Sequence, residues 1–251
     1  MGKIDLLLKK EEINDNIMNN NIAVVFDILL ATSTASAMFY YGAKEIIPVL
    51  DGKEALKLAE KQADDNFMLV GEHLGITIEG FLDPIPTRLK DKVKGKRVIF
   101  STTNGTVALK NSWAAKAVYA ASILNEEILA NHLMNEYGAD SYMLVCSGSS
   151  EKFNLEDLYG AGSFIENLIQ AGETQGIDWE MSDSALAALH FYKGNKENGE
   201  QLLKASRVGR KLVNEGHGED VEYILKKNAC PVISRLEGES LRRIDAIGVS
   251  E

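Results

Sequence analysis

Six short runs of consecutive apolar residues constrain this chain more than any other feature. They are residues 22–27 (IAVVFD), Glu45–Val49 (EIIPV), 67–70 (FMLV), 97–100 (RVIF), 117–120 (AVYA) and 142–146 (YMLVC). Each is apolar on successive residues rather than on alternate ones, so each predicts a strand covered on both faces. Helical patterns separate them. Residues 52–63 place Ala55, Leu56, Ala59 and Ala63 on one stripe. Residues 125–137 and 156–171 behave alike, and the last hundred residues read mainly as helix, over 183–192, 199–205, 208–214 and 219–227. This alternation predicts an α/β protein: a three-layer α/β/α architecture with a largely parallel central sheet and a helix-rich C-terminal part. No linker interrupts it, so one domain is expected over residues 1–251. Residues 193–199 (KGNKENG) predict an exposed turn between helices, and residues 81–89 (FLDPIPTRL), with Pro84 and Pro86, a surface loop.

Composition narrows the function classes. A chain of 251 residues with 45% hydrophobic residues can bury a substantial core unaided. Lys and Arg number 27 against 37 Asp and Glu, a net charge of −10. Such a surface repels nucleic acids and anionic membranes. No apolar run is long enough to span a bilayer. Two cysteines, Cys146 and Cys230, make no disulfide framework, which predicts a cytoplasmic protein.

Three strands end in clusters of small polar residues that open helices. In the first, Asp27 closes the strand and Thr32, Ser33 and Thr34 follow. The second carries Thr102, Thr103, Asn104, Gly105 and Thr106 after Ser101. The third carries Ser147 and Gly148 after Cys146, then Glu156 and Asp157. Helix N-termini present unpaired N–H groups and partial positive charge, and glycine admits close backbone approach. At the strand ends of a parallel sheet such elbows bind anions, phosphate above all. Any one of them is also an ordinary cap; three in one chain favour a phosphate-like ligand.

Familiar phosphate and hydrolase motifs are missing. There is no GxxxxGK[ST], no GxSxG and no GxGxxG after a strand; the GAG of residues 160–162 lies in a helical pattern. His73, His132, His190 and His217 lack zinc spacing. Carboxylates remain: Asp27 at a strand end, Glu72 after another strand, Glu156 and Asp157, with Asp183 and Asp220 further on. Carboxylates beside hydroxyls suit Mg²⁺, which takes one or two acids plus phosphate oxygens. Dipole complementation explains Glu156 and Asp157 equally well, and capping or solvation explains Asp220 better than ligation. Cys146, Cys230, Trp113 and Trp179 read as structural or packing residues.

These segments together resemble the 2-phosphosulfolactate phosphatase family, often called ComB. The matching pieces are Asp27 to Thr34 (DILLATST), Gly71-Glu72, Gly80-Phe81, Thr102 to Leu109 (TTNGTVAL), Cys146-Ser147-Gly148, Phe153 to Leu158 (FNLEDL) with Ala161-Gly162, and Gly216 to Asp220. They run in order over about residues 20–235. The resemblance implies an α/β/α fold, a homo-oligomer and a Mg²⁺-dependent hydrolase that converts 2-phospho-3-sulfolactate to 3-sulfolactate and phosphate. Leu30 and His73 stand where the family usually has arginine, and residues 82–86 replace its usual loop.

The expected site follows. Asp27, Glu72 and Asp157 are the catalytic candidates, and Asp27, Glu72, Glu156 and Asp157 the candidates to hold Mg²⁺. Thr32, Ser33, Thr34, Thr102, Thr103, Asn104, Gly105, Thr106, Ser147 and Gly148 are the candidates to bind the small anionic substrate. With both arginines replaced, attraction is expected to come from the metal, the helix N-termini and the hydroxyl-rich elbows, with His73 contributing when protonated. Two other readings fit the same residues: a phosphatase for another small phosphorylated acid, and a non-catalytic binder of such a metabolite.

Overall fold

A computed structural model describes residues 1–62 and 66–245. The chain runs β1 (Gly2–Leu7), α1 (Asp15–Met18), β2 (Ile22–Phe26), α2 (Ala31–Tyr40), β3 (Glu45–Val49), α3 (Gly52–Ala59), β4 (Phe67–His73), β5 (Ile76–Thr77), β6 (Arg97–Ser101), α4 (Gly105–Asn111), β7 (Ala117–Ala121) and α5 (Glu126–Tyr137). It continues β8 (Ser141–Cys146), α6 (Leu155–Glu173), β9 (Trp179–Met181), α7 (Asp183–Asn195), α8 (Gly199–Ala205), α9 (Arg207–Asn214), α10 (Gly218–Ile224), β10 (Ile233–Glu237) and β11 (Ser240–Ile244).

All six expected strands form, in one sheet of order β5-β4-β6-β3-β11-β10-β7-β2-β8-β1-β9. It is mixed but mostly parallel. One parallel block is β4-β6-β3; the other is β7-β2-β8-β1-β9. The antiparallel hairpin β10–β11 joins them, pairing β11 with β3 and β10 with β7. With the pairing inside the hairpin these make three successive antiparallel pairings, an odd number, so the formal direction of one block is reversed relative to the other. Their carboxyl ends nevertheless meet at one cavity, and both blocks pack on α2 and α4. One continuous core takes Val70, Val98, Phe100, Ile46, Leu241, Val118, Ala120, Ala23, Val25 and Val145 from the strands, and Ala31, Ala35, Met38, Phe39, Ala108 and Leu109 from those two helices.

The opposite face carries the other helical layer. Ile22, Val24 and Phe26 of β2 alternate with Ala23 and Val25 and pack instead against α5, α6 and α7. This is why the run is apolar at every position. The tightness of that layer explains the GAG segment in α6. A Cβ on Gly160 would stand 2.5 Å from Ile28 Cδ1, and one on Gly162 would run into the carbonyl of Ala188.

Several expectations change. The stripe of residues 52–63 ends at Ala59 as regular helix, and its Ala63 lies outside the described residues. Residues 193–199 hold the expected exposed turn between helices, but it is shorter: α7 runs to Asn195 and an exposed 3-10 turn at Lys196–Asn198 leads into α8. Residues 81–89 are no surface loop, since Phe81, Ile85 and Leu89 are buried and Leu82 bridges to Val70. Trp113 is 69% exposed and packs no core, whereas Trp179 packs its ring against that of Tyr142, tilted by 58° with centroids 5.8 Å apart.

Candidate active site

A cavity of about 360 Å³ opens where the strand ends meet. Asp27 and Glu72, Thr102 to Asn104, and Ser149 and Ser150 come to it from four different strand ends. Leu29, Leu30, Pro84 and Ile85 give it an apolar wall. The C-terminal helices close the far side with Arg207, Lys211, Glu215 and His217.

Asp27 is the first residue beyond β2. Only 6% of it is exposed, and its Oδ1 accepts the Ala31 N–H at 3.3 Å. The Gly105 N–H also bonds this carboxylate. Burial, with the charges of Glu72 and Glu156, pushes Asp27 up to about 7 against those two bonds. Glu72 lies within β4, one residue before its end, rather than after the strand. Its Oε1 accepts the Thr103 N–H at 2.6 Å, and its Oε2 accepts the Gly75 N–H at 2.5 Å and the Thr103 hydroxyl at 3.1 Å. The Leu74-Gly75 turn has φ of 53° and 76° and joins β4 to β5 in a two-residue hairpin. Its tip reaches α9, where Lys211 Nζ donates to the Leu74 and Gly75 carbonyls at 3.3 and 3.0 Å.

The remaining expected residues divide. Thr102, Thr103 and Asn104 line the cavity, and Lys10 Nζ donates to Asn104 Oδ1 at 3.0 Å. Gly105 sits directly behind Asp27. The hydroxyls of Thr32, Ser33 and Thr34 are turned away from the cavity. They bond the Asp27, Ile28 and Pro84 carbonyls at 3.0, 2.9 and 2.7 Å, and so brace the elbow. Thr106 is likewise spent on the Thr102 backbone. Ser147 is fully buried behind the wall, and Gly148, at φ 63°, passes too close to Lys152 for any side chain.

Asp157 has a different task from the one expected. Its Oδ1 accepts the Ile28 N–H at 2.9 Å and its Oδ2 the Gly148 N–H at 3.1 Å, so it ties the first elbow to the third from behind the cavity wall. Burial pushes it well above the ordinary carboxylate range, and the charges of Asp27 and Glu156 add to the shift. Glu156 is also buried and raised, burial being the first cause, and its Oε1 has no partner. Cys146 is buried and its thiol raised by burial, as a structural cysteine should be.

Mg²⁺ can be weighed against these donors. Asp27 and Glu72 share one wall, Glu156 keeps an unpartnered buried oxygen, and the like charges raise Asp27. This buried negative excess fits a divalent cation held through two carboxylates. Among the described residues no group of three His, Cys, Asp or Glu forms a protein-only cage. Asp157 does not line the cavity, its carboxylate being tied to the Ile28 and Gly148 N–H groups behind the wall, so it does not belong to that set.

Sequence reasoning missed Arg207, Lys211 and His217. The family pattern points to residues 30 and 73 for cations, yet Leu30 forms apolar wall and His73 is exposed and off the cavity. Arg207 reaches in from α9, donating to Asn154 Oδ1 at 3.0 Å and the Ser149 carbonyl at 3.3 Å. The Gly216–Asp220 stretch was the only sign that the C-terminal helices join the site.

Fold and cavity define an α/β protein with a polar cavity at converging strand ends, Asp27 and Glu72 on one wall and Arg207 and Lys211 opposite. A family model described as 2-phosphosulpholactate phosphatase matches residues 7–239. A protein of Caldicellulosiruptor saccharolyticus named "Probable 2-phosphosulfolactate phosphatase" is 38% identical over 223 residues, 87% of this chain and 90% of that relative. Relatives of the same name from Caldanaerobacter subterraneus and Clostridium perfringens are 34% and 33% identical, covering 92% and 97% of this chain and 93% and 97% of their own lengths. The chain belongs to the 2-phosphosulfolactate phosphatase family. Among the described residues no helix is long and apolar enough to cross a membrane.

Proposed function

We propose that the cavity hydrolyses 2-phospho-3-sulfolactate to 3-sulfolactate and phosphate. The observation that carries this reading is the buried Asp27 carboxylate, pushed up to about 7, in one cavity with Arg207 and Lys211. The family supplies the substrate. A molecule bearing phosphate, sulfonate and carboxylate needs opposite charge at more than one point, and an acidic protein must offer it locally.

Asp27 and Glu72 would hold Mg²⁺, which when bound supplies positive charge beside the transferring phosphoryl group. Gly105 and Ala31 fix the Asp27 carboxylate by their N–H groups. Thr103 and Gly75 do the same for Glu72. Arg207 and Lys211 would take the substrate's other anionic groups, the planar guanidinium by paired bonds and the ammonium as a point charge. Leu29, Leu30 and Ile85 exclude water from the site and strengthen each of these interactions. The same reading makes the protein a cytoplasmic homo-oligomer; its two buried free thiols support a reducing compartment.

The experiment is phosphate release from a panel of small phosphomonoesters, with and without Mg²⁺. Fastest turnover of 2-phospho-3-sulfolactate, lost on chelation, is expected. Turnover of another phosphorylated acid in preference would reassign the substrate. Thermal stabilisation without any turnover would make the protein a binder.

A further inference from the structure

His217 and Asp220 form a hydrogen-bonded pair at the cavity that the proposed reaction has not yet used. His217 is a cavity residue on the turn that opens α10. Its Nδ1 meets Asp220 Oδ2 at 3.3 Å, and the Thr87 hydroxyl donates to Asp220 Oδ1 at 2.5 Å. Both residues are more than nine-tenths buried. Asp220 is thus clamped from two sides, and it fixes the tautomer and direction of the imidazole. An Nδ1–H given to the carboxylate leaves Nε2 as the nitrogen available to a ligand. Asp27 and Glu72 lie in the same cavity, with Arg207 and Lys211 of α9.

We propose that His217 is the general acid of the reaction and that Asp220 is its positioning residue. The inference rests on the phosphatase reading above and adds a residue to it. Aliphatic alkoxides leave phosphorus poorly, so the ester oxygen of such a substrate needs a proton as its bond breaks. An attacking oxygen forms the new bond to phosphorus while the bond to the ester oxygen breaks. The bonding pair stays on the ester oxygen, which takes the Nε2 proton of the His217 imidazolium and becomes the product alcohol. The imidazole is left neutral. Consumption of one water in the hydrolysis releases one proton as its oxygen joins the phosphate, and that proton restores the imidazolium.

The test compares two leaving groups and one pH profile. His217→Asn should lower kcat/KM on 2-phospho-3-sulfolactate about 100-fold or more, within the usual contribution of a general acid. On p-nitrophenyl phosphate, whose phenolate leaves unaided, the loss should stay under about fivefold. Equal losses on both esters, or no loss on the alkyl ester, would overturn the assignment. Asp220→Asn gives a readout independent of that variant's folding. A general acid works only while protonated, so the rate falls as pH rises, and loss of the neighbouring carboxylate charge should move that basic limb to lower pH. The other charged groups on His217's own element and on those packed around it are Glu219 and Glu222 on α10, Arg88 beside Thr87 with its partner Asp83, Arg207, Arg210 and Lys211 on α9 with Glu215 just beyond its end, and Glu200 and Lys204 on α8; Asp220→Asn leaves all of them in place. An unmoved profile would overturn the positioning role. Wild-type protein that released no phosphate from either ester would instead overturn the phosphatase reading itself.

Discussion

Gly105 lies with its Cα against the carboxylate of Asp27. A Cβ built there would stand 2.7 Å from Asp27 Oδ2 and 2.9 Å from Asp27 Cβ, and would also run into Ala31. The second elbow is therefore shaped around the acid at the end of the first.

Gly105→Ala tests this directly. The methyl group must displace Asp27 or α2, so kcat should fall at least about tenfold and stability by roughly 1–3 kcal/mol. Steady-state kinetics and denaturant unfolding measure the two. An alanine variant with wild-type kcat would show that the approach is not tight.

The pH dependence of stability follows from the same carboxylate. Asp27 has its pKa raised from 3.8 to about 7 in the fold. The folded state therefore binds this proton more tightly than the unfolded chain does. Its contribution is fully present below about pH 4 and is lost as pH rises through about 7. The metal-free protein should unfold at lower temperature at pH 8 than at pH 5, its stability being lower by about 2–3 kcal/mol if Asp27 acts alone. Asp27→Asn should flatten that slope, and Mg²⁺ should restore stability at pH 8 in wild type only. Parallel thermal-unfolding curves for the two proteins across this range would count against it.

Arg207→Ala and Lys211→Ala should act mainly on binding. Charge-assisted bonds of this kind contribute about 1.5–3 kcal/mol, so KM for an anionic substrate should rise roughly 10- to 100-fold, with a smaller change in kcat. Initial-rate kinetics at fixed ionic strength check this. A fall in kcat at unchanged KM would place these cations elsewhere in the mechanism.

What the sequence made legible depended on range. Runs such as Ile22–Phe26 announced themselves because both of their faces are buried. Gly2–Leu7 did not, since Lys3 and Asp5 alternate with Ile4 and Leu6 in the pattern of a half-buried strand. Hairpin β10–β11 (ISRLE, SLRRI) is rich in charge and reads as surface, although it joins the two parallel blocks. Within the site, Asp27, Glu72 and Thr103 were recoverable from their places around strand ends. The inward turn of the Thr32, Ser33 and Thr34 hydroxyls was not, because it depends on how the Asp27 elbow folds back on itself and on the Pro84 loop. Asp157 reaches Ile28 across 129 residues, and Lys211 reaches Gly75 across 136. Local pattern carries no trace of contacts at that separation.

The central claim is that Asp27 acts in phosphate release. Its most direct test is the rate at which wild type and Asp27→Asn release phosphate from 2-phospho-3-sulfolactate in Mg²⁺. A loss of at least about 100-fold, in a variant that still unfolds cooperatively, is the result predicted. An undiminished rate in the folded variant would contradict it.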